Sequence, residues 1–235
     1  LELIMADLDS CEKQLQRVTR SAKGGDKEAV AQEKLLKAAQ AALEAGKPAR
    51  TVTVANEDRK AWSMLQLLTA KPVLFVCNVE EDKASTGNAQ SDRVAQMAAQ
   101  QGAGHVVISA KIEEEISQLP ADEAAMFLEE MGLHEAGLDR LIREGYKLLG
   151  LDTYFTVGPK EARAWTIHVG DTAPQAAGVI HTDFEKGFIR AETIAYADYV
   201  ALKGEAGAKE AGKMRAEGKS YVVKDGDVLH FLFNN

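Results

Sequence analysis

The sequence predicts an α/β protein: part of a parallel sheet with an inserted α-helical hairpin, followed by a smaller α+β domain of the β-grasp type. Three observations predict it. Val73-Leu74-Phe75-Val76-Cys77 is an unbroken apolar run entered through Pro72. It is too short for an ordinary helix and apolar on both faces, as a strand inside a parallel sheet is. His105-Val106-Val107-Ile108 is a second such run, reached through a segment of helical spacing from Asp92 to Gln100 that stops at Gly102. Strand, crossover helix and parallel strand is the unit this order describes. From Asp152 the texture changes to short β-branched and aromatic runs punctuated by Gly158-Pro159 and Asp225-Gly226, which are turn signals.

Residues 1–69 read as a helical hairpin arm and a return helix. Leu8, Cys11, Leu15 and Val18 recur at three- and four-residue steps, Gly24-Gly25 breaks the pattern, and Asp26 is placed to cap a second helix. That helix carries Ala31, Leu35, Ala38 and Ala42 on one stripe and closes at Gly46, with Pro48 beyond. The outer faces are rich in Lys, Arg, Gln and Glu, the composition of a solvated surface. Arg50 to Ala55 is a short β-branched stretch. Asn56 then heads a predicted helix from Glu57 to Thr69, with Trp62, Leu65 and Leu68 on one face.

Residues 70–150 read as the sheet-bearing domain. The polar stretch 82–89 is a loop. The acidic residues Glu113, Glu114, Glu115, Asp122, Glu123, Glu129 and Glu130 fit the solvent faces of two short helices split at Pro120, with Ile116, Leu119, Met126 and Phe127 turned inward. Leu138, Leu141, Ile142, Tyr146 and Leu149 form a further helical stripe ending at Gly150. Residues 151–235 supply the β-grasp domain: strands at Thr153–Val157 and Ala162–Val169, a helix from Gln175 to Ile180, and an extended segment Phe188–Ala195. Helical pieces follow at 196–199 and Ala206–Met214, and the chain closes on a predicted hairpin of Tyr221–Val223 with Val228–Phe231 about Asp225-Gly226.

The chain of 235 residues carries a net charge of −8, so contact with nucleic acid requires a local basic patch rather than a global field. Two isolated cysteines, Cys11 and Cys77, fit a reducing compartment. The five histidines show no zinc-ligand spacing, and no nucleophile elbow is present. The chain begins at Leu1 within a helical pattern, which reads as the interior of a longer protein.

The carboxyl ends of the two strands are the candidate site, because ligands of open α/β sheets bind there. They carry Asn78-Val79-Glu80-Glu81 and Ser109-Ala110-Lys111. This pair is similar to the base-reading segments of P-loop GTPases, Asn-Lys-x-Asp and Ser-Ala-Lys, but departs from them informatively. In a guanine pocket the aspartate accepts from two ring donors, whereas adenine offers an amine donor and a ring acceptor. Glu81 is one methylene longer than that aspartate, and Val79 stands where the lysine stem lines the base. Asn78 can donate or accept, and the Val79 carbonyl is an acceptor for the adenine amine. The pocket reads as one that has lost guanine selectivity and prefers ATP.

Longer stretches carry a fuller resemblance. RAWTIHVGDTAPQAAGVIHTDFEKGFIRAETIAYADYV and GKSYVVKDGDVLHFLFN resemble the C-terminal TGS domain of the Obg-like ATPases, YchF subfamily, and ADLDSCEKQLQRVTRSAKGGDKEA resembles that family's helical arm. The resemblance implies a partial P-loop NTPase sheet and an ATP-binding, ATP-hydrolysing enzyme associated with translation. Asn78, Val79 and Glu81 would line the adenine, with Ser109 and Ala110 on its other edge. The family's phosphate-binding loop and magnesium ligands have no counterpart among these residues, since neither Gly24-Gly25 nor Gly102-Ala103-Gly104 opens into Lys and Ser/Thr. Mg2+ ligands are therefore expected outside the chain, and no catalytic or metal-ligating residue within it. One sheet edge is then expected to be bare unless missing strands or another copy cover it. Ribosome or ribosomal RNA is the implied partner, through a basic stretch that includes Lys186, Arg190, Lys203, Lys209, Lys213, Arg215 and Lys219. Neither DNA nor a membrane is expected as a partner, and the location implied is cytoplasmic. The alternatives are a non-catalytic RNA- or ribosome-binding module and a GTPase of the same superfamily.

Overall fold

A computed structural model describes residues 1–234. The chain divides into two compact units, Leu1–Leu141 and Ile142–Asn235.

In the first unit, helices α1 (Glu2–Lys23) and α2 (Lys27–Glu44) form the antiparallel hairpin. Gly25 takes a φ of 85° in the turn, and the Asp26 carboxylate accepts from the backbone N–H groups of Glu28 (3.0 Å) and Ala29 (3.4 Å). At the far end Gly46, with φ 71°, closes a Schellman motif. Its N–H donates to the Leu43 carbonyl, and that of Lys47 to Ala42, both at 2.9 Å. The buried face of α2 is not the predicted alanine stripe. Ala29 is buried, Leu35, Leu36, Ala39 and Leu43 are buried in one cluster with Cys11, Leu8, Leu15 and Val18, and Ala38 is exposed. Leucines remove more apolar surface from water than alanines, so the helix rotates to bury Leu36 and Leu43.

The return segment corrects a second expectation. Instead of one helix from 57 to 69 there is a six-residue helix, α3 (Arg59–Met64), flanked by 3-10 turns at Asn56–Asp58 and Leu68–Ala70. Gln66 breaks it, with a φ of 53°. Leu65 and Leu67 are both buried, and residues two apart lie on nearly opposite sides of a helix, so burying both requires a bend. Leu68 is correspondingly turned out. The bend is anchored by the buried Asp7 of α1. Its carboxylate accepts from the N–H groups of Leu68 (2.8 Å) and Thr69 (2.7 Å) and from the Thr69 hydroxyl (2.6 Å). The Thr69 hydroxyl oxygen in turn accepts the N–H of Ala49 at 2.9 Å.

Strand β1 (Leu74–Asn78), helix α4 (Ala89–Gln100) and strand β2 (Gly104–Ile108) follow as the predicted unit. The strands are parallel, in register from Leu74 opposite Gly104 to Asn78 opposite Ile108. A Cβ at position 104 would lie 2.9 Å from the Leu74 Cδ1, so a side chain there would push the end of Leu74 aside. Asn88 and Ser91 close a capping box at the head of α4. Among the described residues β1 pairs with β2 alone, leaving Val76 exposed. Helices α5 (Ala110–Ser117) and α6 (Ala121–Glu130) complete the unit, and α7 (Gly137–Leu149) begins in it and continues past its boundary at Leu141. Ile112, Leu133 and Ala84 form a small core with Ile116, Phe127 and Leu128, whereas Met126 points outward. One member of the acidic run has a structural task that the charge pattern concealed. Glu113 accepts from the N–H groups of Gly137 (2.7 Å) and Leu138 (3.0 Å), capping α7 across 24 residues.

The second unit is a five-stranded mixed sheet. Its strands are β3 (Leu151–Val157), β4 (Ala162–His168), β5 (Phe188–Ala195), β6 (Arg215–Glu217) and β7 (Asp227–Phe233). The spatial order is β4-β3-β7-β5-β6, with β3 and β7 parallel and the other pairs antiparallel. Helix α8 (Ala173–Ile180) lies across one face, and its Ala173, Ala176 and Ala177 pack with Tyr154, Ile167, Ala191, Leu229 and Phe231. The Tyr154 hydroxyl, buried in that layer, donates to the Ala176 carbonyl at 2.9 Å. Shorter helices α9 (Thr182–Lys186), α10 (Tyr196–Ala201) and α11 (Glu205–Glu210) fill the connections.

The predicted closing hairpin does not form. Tyr221–Val223 makes only an isolated bridge, Val222 to Thr172. The Asp227 carboxylate instead accepts from the Tyr221 hydroxyl (2.7 Å) and the Lys224 N–H (3.0 Å), and Asp225 accepts the Thr153 N–H (2.8 Å). The turn is thereby tied back onto β3, and β7 enters between β3 and β5. The helical stretch also ends at Glu210, and Arg215–Glu217 pairs with β5 as a strand that its charged sequence does not announce.

Two outcomes test this packing. Asp7→Ala leaves three donors without an acceptor and is expected to cost about 2–4 kcal/mol, read from the urea midpoint of the first unit. Burial, and then the nearby Asp7 charge, push the Cys11 thiol up to about 11 from an ordinary 9.0. The folded state therefore holds that proton more tightly than the unfolded chain does. The resulting stabilisation is complete below pH 9 and is lost as pH rises toward 11. Unfolding measured across that window is expected to lose roughly 2–3 kcal/mol through this group, and Cys11→Ala to flatten the loss.

Candidate functional site

Parallel pairing of β1 with β2 brings their carboxyl ends side by side, and with them the two polar segments singled out in the sequence. Asn78 is the last residue of β1, and its side chain reaches across to α5: Oδ1 accepts the backbone N–H of Ala110 at 2.9 Å. Ser109, the N-cap residue by position, makes no side-chain cap. Asn78 takes that role from the neighbouring strand, satisfying one of the orphan donors of the helix start. With Oδ1 committed, the Nδ2 group of Asn78 is the half of the amide that faces outward as a donor.

The five candidate residues divide by exposure. Asn78 and Ala110 are exposed and Glu81 is about a third exposed, so these three line an open edge. Val79 and Ser109 are buried. The N–H of Val79 donates to the Ile108 carbonyl at 2.9 Å, extending the ladder one residue beyond the strand. Its side chain therefore belongs to the interior, and only its backbone is available to a ligand. The Ser109 hydroxyl is buried without a hydrogen-bond partner among the described residues.

Glu81 opens a 3-10 turn, Glu81–Lys83, directly after β1, and its carboxylate forms an ion pair with Lys111 of α5. The hydrogen bond and charge of Glu81, followed by the charges of Glu115 and Glu114, raise the pKa of Lys111. A second tie links the segments on the β1 side: the Asn88 amide lies 3.5 Å from the Glu80 carboxylate. Sequence reasoning included Lys111 only as the third residue of Ser-Ala-Lys and did not pair it with Glu81. The signal was present, since a cation one residue into a helix faces the loop that follows the adjacent parallel strand. No group of three or more His, Cys, Asp and Glu side chains is placed to hold a metal ion among the described residues. No helix among them is long and apolar enough to cross a membrane.

Residues 151–234 match the family model YchF-GTPase_C, described as "Protein of unknown function (DUF933)". The chain is 52% identical to the "Ribosome-binding ATPase YchF" of Bacillus subtilis, over all of this chain and 64% of that protein. Against the protein of the same name from Escherichia coli O157:H7 it is 53% identical, over 99% of this chain and 64% of the other. The chain thus spans slightly less than two-thirds of the length of the curated relatives it matches. The solved structure of the Schizosaccharomyces pombe YchF GTPase superposes with a TM-score of 0.83 at 32% identity, covering 98% of this chain and 63% of that one. A GTP-binding protein from Pyrococcus horikoshii shares the fold at 16% identity, with a TM-score of 0.60. Helical hairpin, parallel strand pair and β-grasp unit all lie within these alignments, and the chain is similar over its whole length to the C-terminal part of these YchF proteins.

Proposed function

We propose that this chain is the base-binding and ribosome-contacting part of a P-loop NTPase that hydrolyses ATP in connection with translation. The observation that carries the reading is the bond from the Ala110 N–H to Asn78 Oδ1, which fixes the donor end of the Asn78 amide at the open sheet edge. The names of the bacterial relatives, which join ATPase to ribosome binding, support it. In this reading Asn78 Nδ2 donates to a ring nitrogen of adenine and the Val79 carbonyl accepts its exocyclic amine. Ala110 flanks the base, and Glu81, held by Lys111, occupies the position where a guanine-selective pocket has its aspartate. Buried Ser109 supports the edge from within. The phosphates and Mg2+ need a Gly-rich loop with Lys and Ser/Thr, a water-positioning group and carboxylate or hydroxyl ligands. We place these outside the 235 residues.

GTP as the substrate is a second reading, favoured by the fission-yeast relative, whose solved structure is named as that of a GTPase. Nucleotide competition decides between the two. In a protein that includes the phosphate-binding half, Glu81→Asp should lower the ratio of ATP to GTP affinity by about tenfold, the scale of one bidentate base contact. Val79→Lys is the less clean variant, because it would set an ammonium stem into a buried position. An unchanged ratio in Glu81→Asp, or a wild-type preference for GTP, removes the adenine assignment. The 235-residue chain by itself is expected to show no magnesium-dependent release of phosphate from ATP, and measurable turnover by it would place catalytic groups where this reading has none.

A further inference from the structure

The distal part of the hairpin reverses the charge of the rest of the chain. Residues 13–37 hold seven Lys and Arg against three Asp and Glu, while the remainder holds twenty-one against thirty-three. Two of the seven are neutralised on the surface, Lys13 by Asp9 and Lys37 by Glu33. Among the described residues Arg17, Arg20, Lys23, Lys27 and Lys34 have no carboxylate within ion-pair distance, and all five are exposed. Of the three acids in this segment, Asp26 is engaged as the cap of α2 and Glu33 by Lys37 and Thr19, while Glu28 is exposed in the first turn of α2, next to Lys27 in sequence.

The placement of these cations is directional. On α1, Lys13, Arg17 and Arg20 recur at steps of four and three, and Leu15 and Val18, two residues away from Arg17 and Arg20, pack toward α2. On α2, Lys27 and Lys34 are seven residues apart and each lies two residues from a buried position, Ala29 and Leu36. Both sets therefore point away from the seam, toward opposite narrow edges of the hairpin. Exposed Ala38 and Ala41 beside Lys34 keep the α2 edge low. Helix stability does not explain Lys27. It is the first residue of α2, where the helix dipole disfavours a cation, although Arg20 and Lys23 in the last turn of α1 are favoured there.

We propose that the hairpin is an RNA-inserting arm, about 20 Å across, that enters a cleft walled on both sides by phosphate backbone, with Arg17 and Arg20 reading one wall and Lys27 and Lys34 the other. The inference rests on the ribosome reading given above and adds to it the element and the two edges that make the contact. Purified ribosomes are the probe, with co-sedimentation of the 235-residue chain followed from low to moderate salt. Arg17→Glu with Arg20→Glu, and separately Lys27→Glu with Lys34→Glu, are each expected to weaken binding at least tenfold. Each pair should also flatten the dependence of log K on log salt by roughly 1.5–2, the counterion release of two phosphates. The Gln versions of the same pairs should fall between, and circular dichroism confirms that the helices persist. If the unaltered chain does not sediment with ribosomes, the ribosome reading has failed and the arm proposal with it. If it does, and the edge variants sediment equally well, the arm proposal alone is refuted. Loss confined to one edge would contradict the two-walled cleft, and loss without any change in salt dependence would refute a contact made through these charges.

Discussion

The first unit hangs on one buried carboxylate. Asp7 lies near the root of α1, yet its hydrogen bonds reach Leu68 and Thr69, and through the Thr69 hydroxyl they reach Ala49. Three stretches far apart in sequence are thereby fixed at one point: the start of the hairpin, the exit from it, and the approach to β1. A buried carboxylate is costly unless its lone pairs are filled, and here three donors fill them. The same bonds satisfy the backbone of a segment that has left the helix at Gln66 and would otherwise bury unpaired N–H groups. The broken return helix and the burial of both Leu65 and Leu67 are held by that arrangement, and the Asp7 charge adds to the burial that raises the thiol pKa of Cys11.

The candidate site follows a similar economy. Asn78 caps a helix that is not its own and, by doing so, fixes which end of its amide faces outward. Glu81 and Lys111 fasten the turn after β1 to the helix after β2. Both ties run between the two strand ends, so the spacing of any groups that meet a ligand there is set by the sheet register, not by loop flexibility. Specificity in such a site comes from side chains whose rotamers are already committed to structural bonds.

What was legible in the sequence depended on whether the signal was local. The apolar runs at β1 and β2, the Asp26 cap and the extent of β5 were read directly, because strand runs and caps are written within a few residues. The resemblance to the YchF family, carried by long stretches at both ends of the chain, was legible for the same reason. The break at Gln66 was not, because it exists to satisfy Asp7 some sixty residues away. The α2 face was misplaced because the alanine stripe and the leucine seam share Leu35, and only the partner helix decides between them. The role of Glu113 was hidden in a run of like residues, whose members differ only in what lies across from them in space. Asp225-Gly226 was correctly a turn, but the aspartates on either side of the glycine bind β3 and the preceding loop, which local turn chemistry does not reveal.

The position of β7 has a consequence for how the second unit comes into being. It is the last strand in sequence and the middle strand in space, the link between the β4-β3 ribbon and the β5-β6 ribbon. Neither ribbon can bury its face alone, since isolated two-stranded pairs are marginal in water. Until Asp227–Phe233 is in place the two ribbons lack the long-range pairings that join them, so the sheet closes only with this strand. For a chain whose partner is proposed to be the ribosome, any surface this unit offers depends on the single strand that joins its two halves.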